Sequence, residues 1–115
     1  MSSSKDITPF KGLPEEFNKV IASKTGIVVV TFWGQWNGPC RRLTGMLPQI
    51  ASDNPDVSFI NVDVDENPEM AQHFNIIGIP YVLFFKGITG DKPNKVGEIL
   101  GFDNTELRKA IAHLK

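Results

Sequence analysis

Apolar and polar positions along the chain follow two periods. Leu13, Phe17, Val20 and Ile21 are spaced i, i+4, i+7 and i+8, the spacing of one face of an amphipathic helix. Residues 27–33 form an almost continuous apolar run rich in β-branched side chains, which predicts a buried strand. The same criteria predict a short edge strand over 7–11, further strands over 57–64, 81–85 and 95–100, a polar turn over 87–94, and further helices over 40–54, 68–74 and 103–114.

The resulting element order is β-α-β-α-β-α-β-β-α. Alternating strands and helices in the first part predict parallel crossover units, and the last two strands predict a hairpin. We therefore expect an α/β protein with a central mixed sheet and helices on both faces. The 115 residues suit a single domain, and we expect residues 1–6 to be disordered because they are polar and lie at a chain end.

Composition excludes several classes of function. Twelve basic against thirteen acidic residues give a net charge of −1, which does not favour nucleic-acid binding. The sequence contains no apolar run long enough to predict a membrane span, and its first residues lack the apolar segment of a signal peptide. One cysteine and two separated histidines predict neither a disulfide nor a metal site, so we expect a cytoplasmic protein without cofactors.

The single cysteine lies where the strand over 27–33 leads into the next helix. Asn37 suits a helix N-cap, and because Pro39 has no N–H, the amide of Cys40 is the expected donor to that cap. Burial would raise the pKa of the Cys40 thiol, whereas the helix N-terminus and the arginines at 41 and 42 would lower it. An inert structural thiol and a slow mixed-disulfide site are both compatible with this pattern.

Several spaced segments resemble the thioredoxin family. The active-site segment is Phe32-Trp33-Gly34-x-Trp36-x-Gly38-Pro39-Cys40, and Val62-Asp63-Val64-Asp65-Glu66-Asn67-Pro68 resembles the strand and turn that follow its helix. Ile77-Gly78-Ile79-Pro80 is similar to the loop whose proline is cis in that family, and Phe84-Phe85-Lys86 and Gly101 continue the match. The resemblance covers about residues 10–114 and implies the thioredoxin fold.

The family's catalytic residues do not all carry over. Thioredoxins use C-x-x-C, in which the first cysteine attacks a disulfide and the second resolves the mixed disulfide. Cys40 matches the second position, and Asn37 stands at the first. Thr31 stands where the family usually has a buried aspartate, and Asn61 stands near the position of a frequent lysine. The resemblance therefore implies an atypical site in which Asn37 cannot act as a nucleophile.

The resemblance also implies a groove for an extended peptide beside the proline loop. The positions that match it are Trp36, Gly38, Pro39, Ile79, Pro80, Gly101 and Phe102. Three functions follow as hypotheses. The chain is a peptide-binding or regulatory module without autonomous reductase activity, a monothiol enzyme acting through Cys40 with glutathione or a partner thiol, or an ordinary thioredoxin with one altered active-site position.

Overall fold

A computed structural model describes residues 7–115, so the expectation of disorder over 1–6 lies outside the described residues. The order of elements confirms the order predicted from the sequence. The strands are β1 (Thr8–Pro9), β2 (Val28–Trp33), β3 (Ser58–Asp63), β4 (Tyr81–Thr89) and β5 (Lys92–Leu100). The helices are α1 (Pro14–Ala22), α2 (Gly38–Asp53), α3 (Pro68–His73) and α4 (Asn104–Leu114).

The five strands form one mixed sheet in the order β1-β3-β2-β4-β5. β3 is parallel to both β1 and β2, and β4 is antiparallel to both β2 and β5. β2 is thus the central strand, as its apolar sequence predicts. Its end at Phe32 pairs with Tyr81, and Tyr81 in turn pairs with Leu100. The loops that follow β2, precede β4 and follow β5 therefore meet at one end of the sheet.

Helices cover both faces of the sheet, and alternate residues of β2 supply the two halves of the core. Val29 packs on one side with buried residues of α2 and α4, among them Leu43 and Leu107. Val28 and Val30 pack on the other side with residues of α1 and α3, including Phe17. This two-sided burial explains why β2 reads as a continuous apolar run. In residues 7–115, no helix is both long enough and apolar enough to cross a membrane.

The largest errors in the predicted boundaries lie at the hairpin and at the start of the second helix. The polar segment 87–94 is not a long turn, because β4 extends to Thr89 and β5 starts at Lys92, leaving only a tight connection between them. Pro93 is tolerated there because β5 is an edge strand, where a missing N–H costs no ladder hydrogen bond on its outer side. The second helix begins at Gly38, two residues earlier than predicted, and continues through Pro48 to Asp53.

Candidate functional site

The turn between β2 and α2 is held by Asn37. Its backbone is extended (φ −97°, ψ 121°), and its side-chain oxygen accepts a hydrogen bond of 2.9 Å from the amide of Cys40. The Asn37 carbonyl accepts from the amide of Arg41 at 3.0 Å, which starts the helical ladder. The predicted N-cap, including its donor, is confirmed. The Asn37 carboxamide thus has a structural role as a helix cap, which involves no reaction.

Cys40 is fully buried at the start of α2, with 0% of its surface exposed. Burial raises the pKa of the thiol above its ordinary value, and a backbone hydrogen bond with Gly34 opposes this rise only in part. The effect of burial therefore exceeds the effects expected to lower the pKa. At neutral pH the sulfur is a protonated thiol, whereas nucleophilic attack and metal binding need the thiolate.

Thr31 and Asn61 lie opposite each other on the parallel strands β2 and β3. Thr31 is 1% exposed, and its Oγ1 atom has no hydrogen-bond partner. The Oδ1 atom of Asn61 is likewise buried and without a partner. Neither side chain ionises in the physiological range, so this pair supplies no carboxylate or amine to transfer a proton. The register places these two neutral side chains side by side.

The loop before β4 forms one wall of the site. The Ile79–Pro80 peptide bond is cis, as the resemblance implies. The Pro80 carbonyl accepts a hydrogen bond of 2.8 Å from the amide of Gly101, which ties this loop to the residue after β5. Gly101 has φ +95°, a left-handed conformation that favours glycine over any residue with a Cβ. Two of the predicted groove segments are therefore directly connected.

Trp36 forms the opposite wall and is 64% exposed. Its indole Nε1 donates a hydrogen bond of 2.8 Å to Asp65 Oδ2, which fixes the orientation of the ring. The indole packs closely over Gly34, where an added Cβ would lie only 2.9 Å from Nε1 and 3.0 Å from Ile79 Cδ1. The absence of a side chain at Gly34 thus allows Trp36 and Ile79 to meet.

Phe102 is half-buried, and it packs partly against the core cluster on the α2 side of the sheet. The guanidinium of Arg42 lies 5.7 Å from the centre of its ring. Phe102 therefore has only part of its ring open to solvent and carries a cation on its face. Gly38 and Pro39 lie in the first turn of α2 between Asn37 and Cys40, at the base of the same loop cluster.

Sequence reasoning missed two apolar residues of this surface. Ile77 is 86% exposed, and Leu100 is 59% exposed. Leu100 Cδ1 lies 3.3 Å from the position of a Cβ added to Gly78, so the two loops also touch there. The adjacent pair Ile76-Ile77 in the sequence could have indicated that Ile77 is exposed. Adjacent isoleucines in a loop rarely both point inward, and here Ile76 packs on the core.

The site consists of a buried floor and an exposed rim. The buried floor comprises the buried Thr31 and Cys40 and the half-buried Asn61, whose Oδ1 atom is covered. The exposed rim comprises the exposed Trp36, Ile77 and Leu100 together with the half-buried Ile79 and Phe102. Within residues 7–115, no three His, Cys, Asp or Glu side chains lie close enough together to hold a metal ion. The arrangement combines several exposed apolar side chains with one buried, protonated thiol.

Comparisons with known proteins agree with this geometry. The sequence model of the family described as Thioredoxin matches residues 9–113. The chain is 35% identical to a thioredoxin of Chlamydia pneumoniae over 93 residues, which cover 81% of this chain and 84% of that protein. It is 31% identical to thioredoxin-2 of Saccharomyces cerevisiae over 97 residues, covering 84% and 88% of the two chains.

The fold is also similar to that of a solved structure of Trichomonas vaginalis thioredoxin. The TM-score is 0.91 at 35% sequence identity, and the match covers 98% of this chain and 100% of that one. The similarity extends over the whole sheet and its helices, including the segments that form the buried floor and the exposed rim.

Proposed function

The chain belongs to the thioredoxin family, and we propose that it is a peptide- or protein-binding or regulatory module without autonomous dithiol–disulfide reductase activity. One observation carries the proposal. The position three residues before Cys40 holds Asn37, whose side chain caps α2 through the amide of Cys40. The proposal keeps the cytoplasmic setting expected from the sequence and takes an extended protein segment as the partner.

The sulfur chemistry of a reductase cannot be completed within this chain. A thiolate that attacks a disulfide forms a mixed disulfide and releases one substrate thiolate. A second thiol must then displace the remaining substrate sulfur, and the electron pair leaves with it. Cys40 is the single cysteine, so no internal thiol can perform the second step. The burial of Cys40 also opposes the first step, because it keeps the sulfur protonated and covered.

The exposed rim supports the binding role. Apolar side chains that lie together on a surface and are rimmed by polar groups are typical of interaction sites. The side chains of Trp36, Ile77 and Leu100 are exposed to solvent, although other residues of the exposed rim lie beside them. The hydrogen bonds from Trp36 to Asp65 and from Gly101 to Pro80 fix the walls before any partner arrives. A surface ordered in advance loses less conformational entropy on binding.

Thiol chemistry assisted by glutathione or by a partner cysteine is the competing function, and a pair of assays separates the two. In the first, reduction of a protein disulfide is followed with dithiothreitol, with reduced glutathione, and with a thioredoxin reductase system. We expect no turnover above the enzyme-free control. The Cys40→Ala variant serves as the matched control, since any rate that depends on Cys40 disappears in it.

In the second assay, binding is measured with an array of ten-residue peptides of varied sequence probed by the labelled protein. We expect binders whose signal falls in Ile77→Ser but not in Leu13→Ser, an exposed apolar residue just before α1. Turnover that depends on Cys40, or an array without groove-dependent binders, would contradict the proposal.

A further inference from the structure

We infer that the segment bound in this groove carries an acidic side chain, which is received by Arg41 and Arg42. This inference deepens the proposed function and rests on it. It assigns the chemical class of the partner: an extended protein segment with an aspartate or glutamate beside its apolar residues.

The two guanidinium groups both lie near Gly38, in the first turn of α2. Arg42 Nη1 lies 3.8 Å, and Arg41 Nη2 lies 3.9 Å, from the position of a Cβ added to Gly38. The absence of a side chain at Gly38 leaves this space open. Guanidinium groups present planar forks of donors that match the two oxygens of a carboxylate. Two such forks beside Gly38 can donate to one carboxylate.

Separate contacts hold each arginine in place. Arg41 Nη1 donates a hydrogen bond of 2.9 Å to the carbonyl of Gln35. The other terminal nitrogen, Nη2, lies near Gly38. The Arg42 guanidinium lies over the ring of Phe102, 5.7 Å from its centre. Both contacts orient the cations without neutralising them. The conformational entropy lost on binding an anion is correspondingly smaller.

Neither cation has an anionic partner in the described part of the chain. The ion pairs of residues 7–115 join Lys95 to Glu98, Arg108 to Asp53, and Lys115 to Asp56, and none includes Arg41 or Arg42. Two acidic residues at the end of β3 and just beyond it bond to other groups of the turn between β2 and α2: Asp65 accepts the indole N–H of Trp36, and Asp63 accepts from the side chain of Gln35. The positive end of the α2 dipole lies at the same place and adds to the positive potential.

The position of Arg41 and Arg42 beside the exposed rim indicates which kind of ligand fits the site. Because Arg42 lies on Phe102, the cationic point is continuous with the apolar rim rather than on a separate face. A ligand that fills both must offer apolar side chains to Trp36, Ile77 and Leu100 and an anion a few residues away. An extended peptide meets this demand, since its side chains are distributed along a line. Charge complementarity here sets specificity and association rate as much as affinity.

The test uses two libraries of fluorescein-labelled ten-residue peptides that share the same randomised apolar positions. One library has a single glutamate at a scanned position and the other has glutamine there. Anisotropy titrations of the full chain should give at least about ten-fold tighter binding of the best glutamate peptides than of their glutamine partners. The preference should shrink as salt is raised from about 0.05 to 0.5 M, because screening weakens exposed charge pairs.

Three variants make the result specific. The double variant Arg41→Gln/Arg42→Gln should lose the glutamate preference while still binding the glutamine peptides. Arg41→Lys/Arg42→Lys should regain part of it, since charge returns without the planar fork. Arg108→Gln is the matched control, because Arg108 pairs with Asp53 at the other end of α2, about 18 Å from Arg41 along the helix. It should leave the preference unchanged.

The outcomes separate the inference from the proposed function. Equal binding of both libraries, lost in Ile77→Ser, would overturn the acidic specificity and leave the binding function standing. Binding of neither library would overturn both. Displacement of the peptides by reduced glutathione, dependent on both arginines, would assign the site to a small carboxylate ligand and overturn a protein partner. If Arg41→Gln/Arg42→Gln still preferred the glutamate peptides, the peptide carboxylate would bind at another position, and the role of the two arginines would be overturned.

Discussion

The buried floor and the exposed rim of the site differ in their chemistry. The buried floor contains one protonated thiol and two neutral polar side chains whose oxygen atoms lack partners. The exposed rim keeps a cis proline loop, an anchored tryptophan and several exposed apolar side chains. In the family pattern the two regions serve one reaction. Under the proposed function, the exposed rim serves recognition, whereas the buried floor, with one thiol and the neutral Thr31 and Asn61, transfers neither protons nor electrons.

The two regions contribute differently to the stability of the fold. Thr31 and Asn61 place no charge in the interior, which avoids the penalty of burying an ionised group. Asn37 caps α2, so the helix N-terminus at this position is satisfied. The exposed rim has no comparable internal benefit, because exposed Ile77 and Leu100 contribute little to the core. Under the proposed function, their exposure serves recognition.

The largest effect should come from restoring the chemistry of the buried floor. Asn37→Cys creates a C-x-x-C pair and should give slow reduction of a protein disulfide. Adding Thr31→Asp should raise that rate about 10²-fold, because a carboxylate beside the second thiol supplies general acid–base catalysis. The measurement is a reductase-coupled assay of both variants. Asn37→Cys/Thr31→Asn is the control, and equal rates with and without the aspartate would show that Thr31 is not the limiting position.

A second prediction isolates the exposed rim. Ile77→Ser should weaken binding of the peptides selected from the array about ten-fold, as expected for an apolar anchor of an interface. The free energy of unfolding should stay within about 0.5 kcal/mol of the parent, since exposed substitutions rarely change it. Calorimetric titration and urea unfolding measure the two quantities. Leu13→Ser should leave the binding unchanged, and a loss of stability in Ile77→Ser would mean that Ile77 packs on the fold.

The cap at the boundary between the two regions gives a smaller effect. Asn37→Ala should lower the free energy of unfolding by about 1 kcal/mol, because the amide of Cys40 loses its side-chain acceptor. Asn37→Ser should restore most of the loss, since serine is an equally good N-cap. Urea unfolding at neutral pH measures both variants. An alanine variant as stable as the parent would refute the capping role.

The smallest predicted effect is the pH dependence contributed by Cys40. Burial raises the pKa of this thiol above that in the unfolded chain, so the native state holds the proton more tightly. The resulting stability is fully present below the unfolded pKa of about 8.5 and is lost as pH rises through the folded pKa.

Unfolding free energies of the parent and Cys40→Ala, measured from pH 7 to 10, should therefore converge at the alkaline end. The hydrogen bond to Glu98 raises the pKa of Tyr81 as well, and Tyr81 is present in both proteins, so its contribution cancels in the difference. A difference that stays constant with pH would mean that the thiol is not shifted.

The sequence predicts those features that depend on local chemistry. The two-sided burial of β2 follows from its apolar run, and the cap at Asn37 follows from the positions of Pro39 and Cys40. The sequence predicts too short a hairpin because Gly87 and Pro93 are typical of turns. In the structure, the irregular register between β4 and β5 accommodates Gly87, and the edge position of β5 accommodates Pro93. The contact between Arg42 and Phe102 joins segments that are far apart in the sequence, so no local pattern predicts it. The exposure of Ile77 likewise depends on how distant segments pack around its loop.

The most direct test of recognition without thiol chemistry is to compare peptide binding by the parent chain and by Cys40→Ala. Titration calorimetry in the absence of reductant gives both affinities, and intact-mass spectrometry of the same samples detects any covalent adduct. We predict dissociation constants that agree within about two-fold, with no mass increase in the parent. Loss of binding in the folded alanine variant, or a peptide adduct that dithiothreitol removes, would contradict this account.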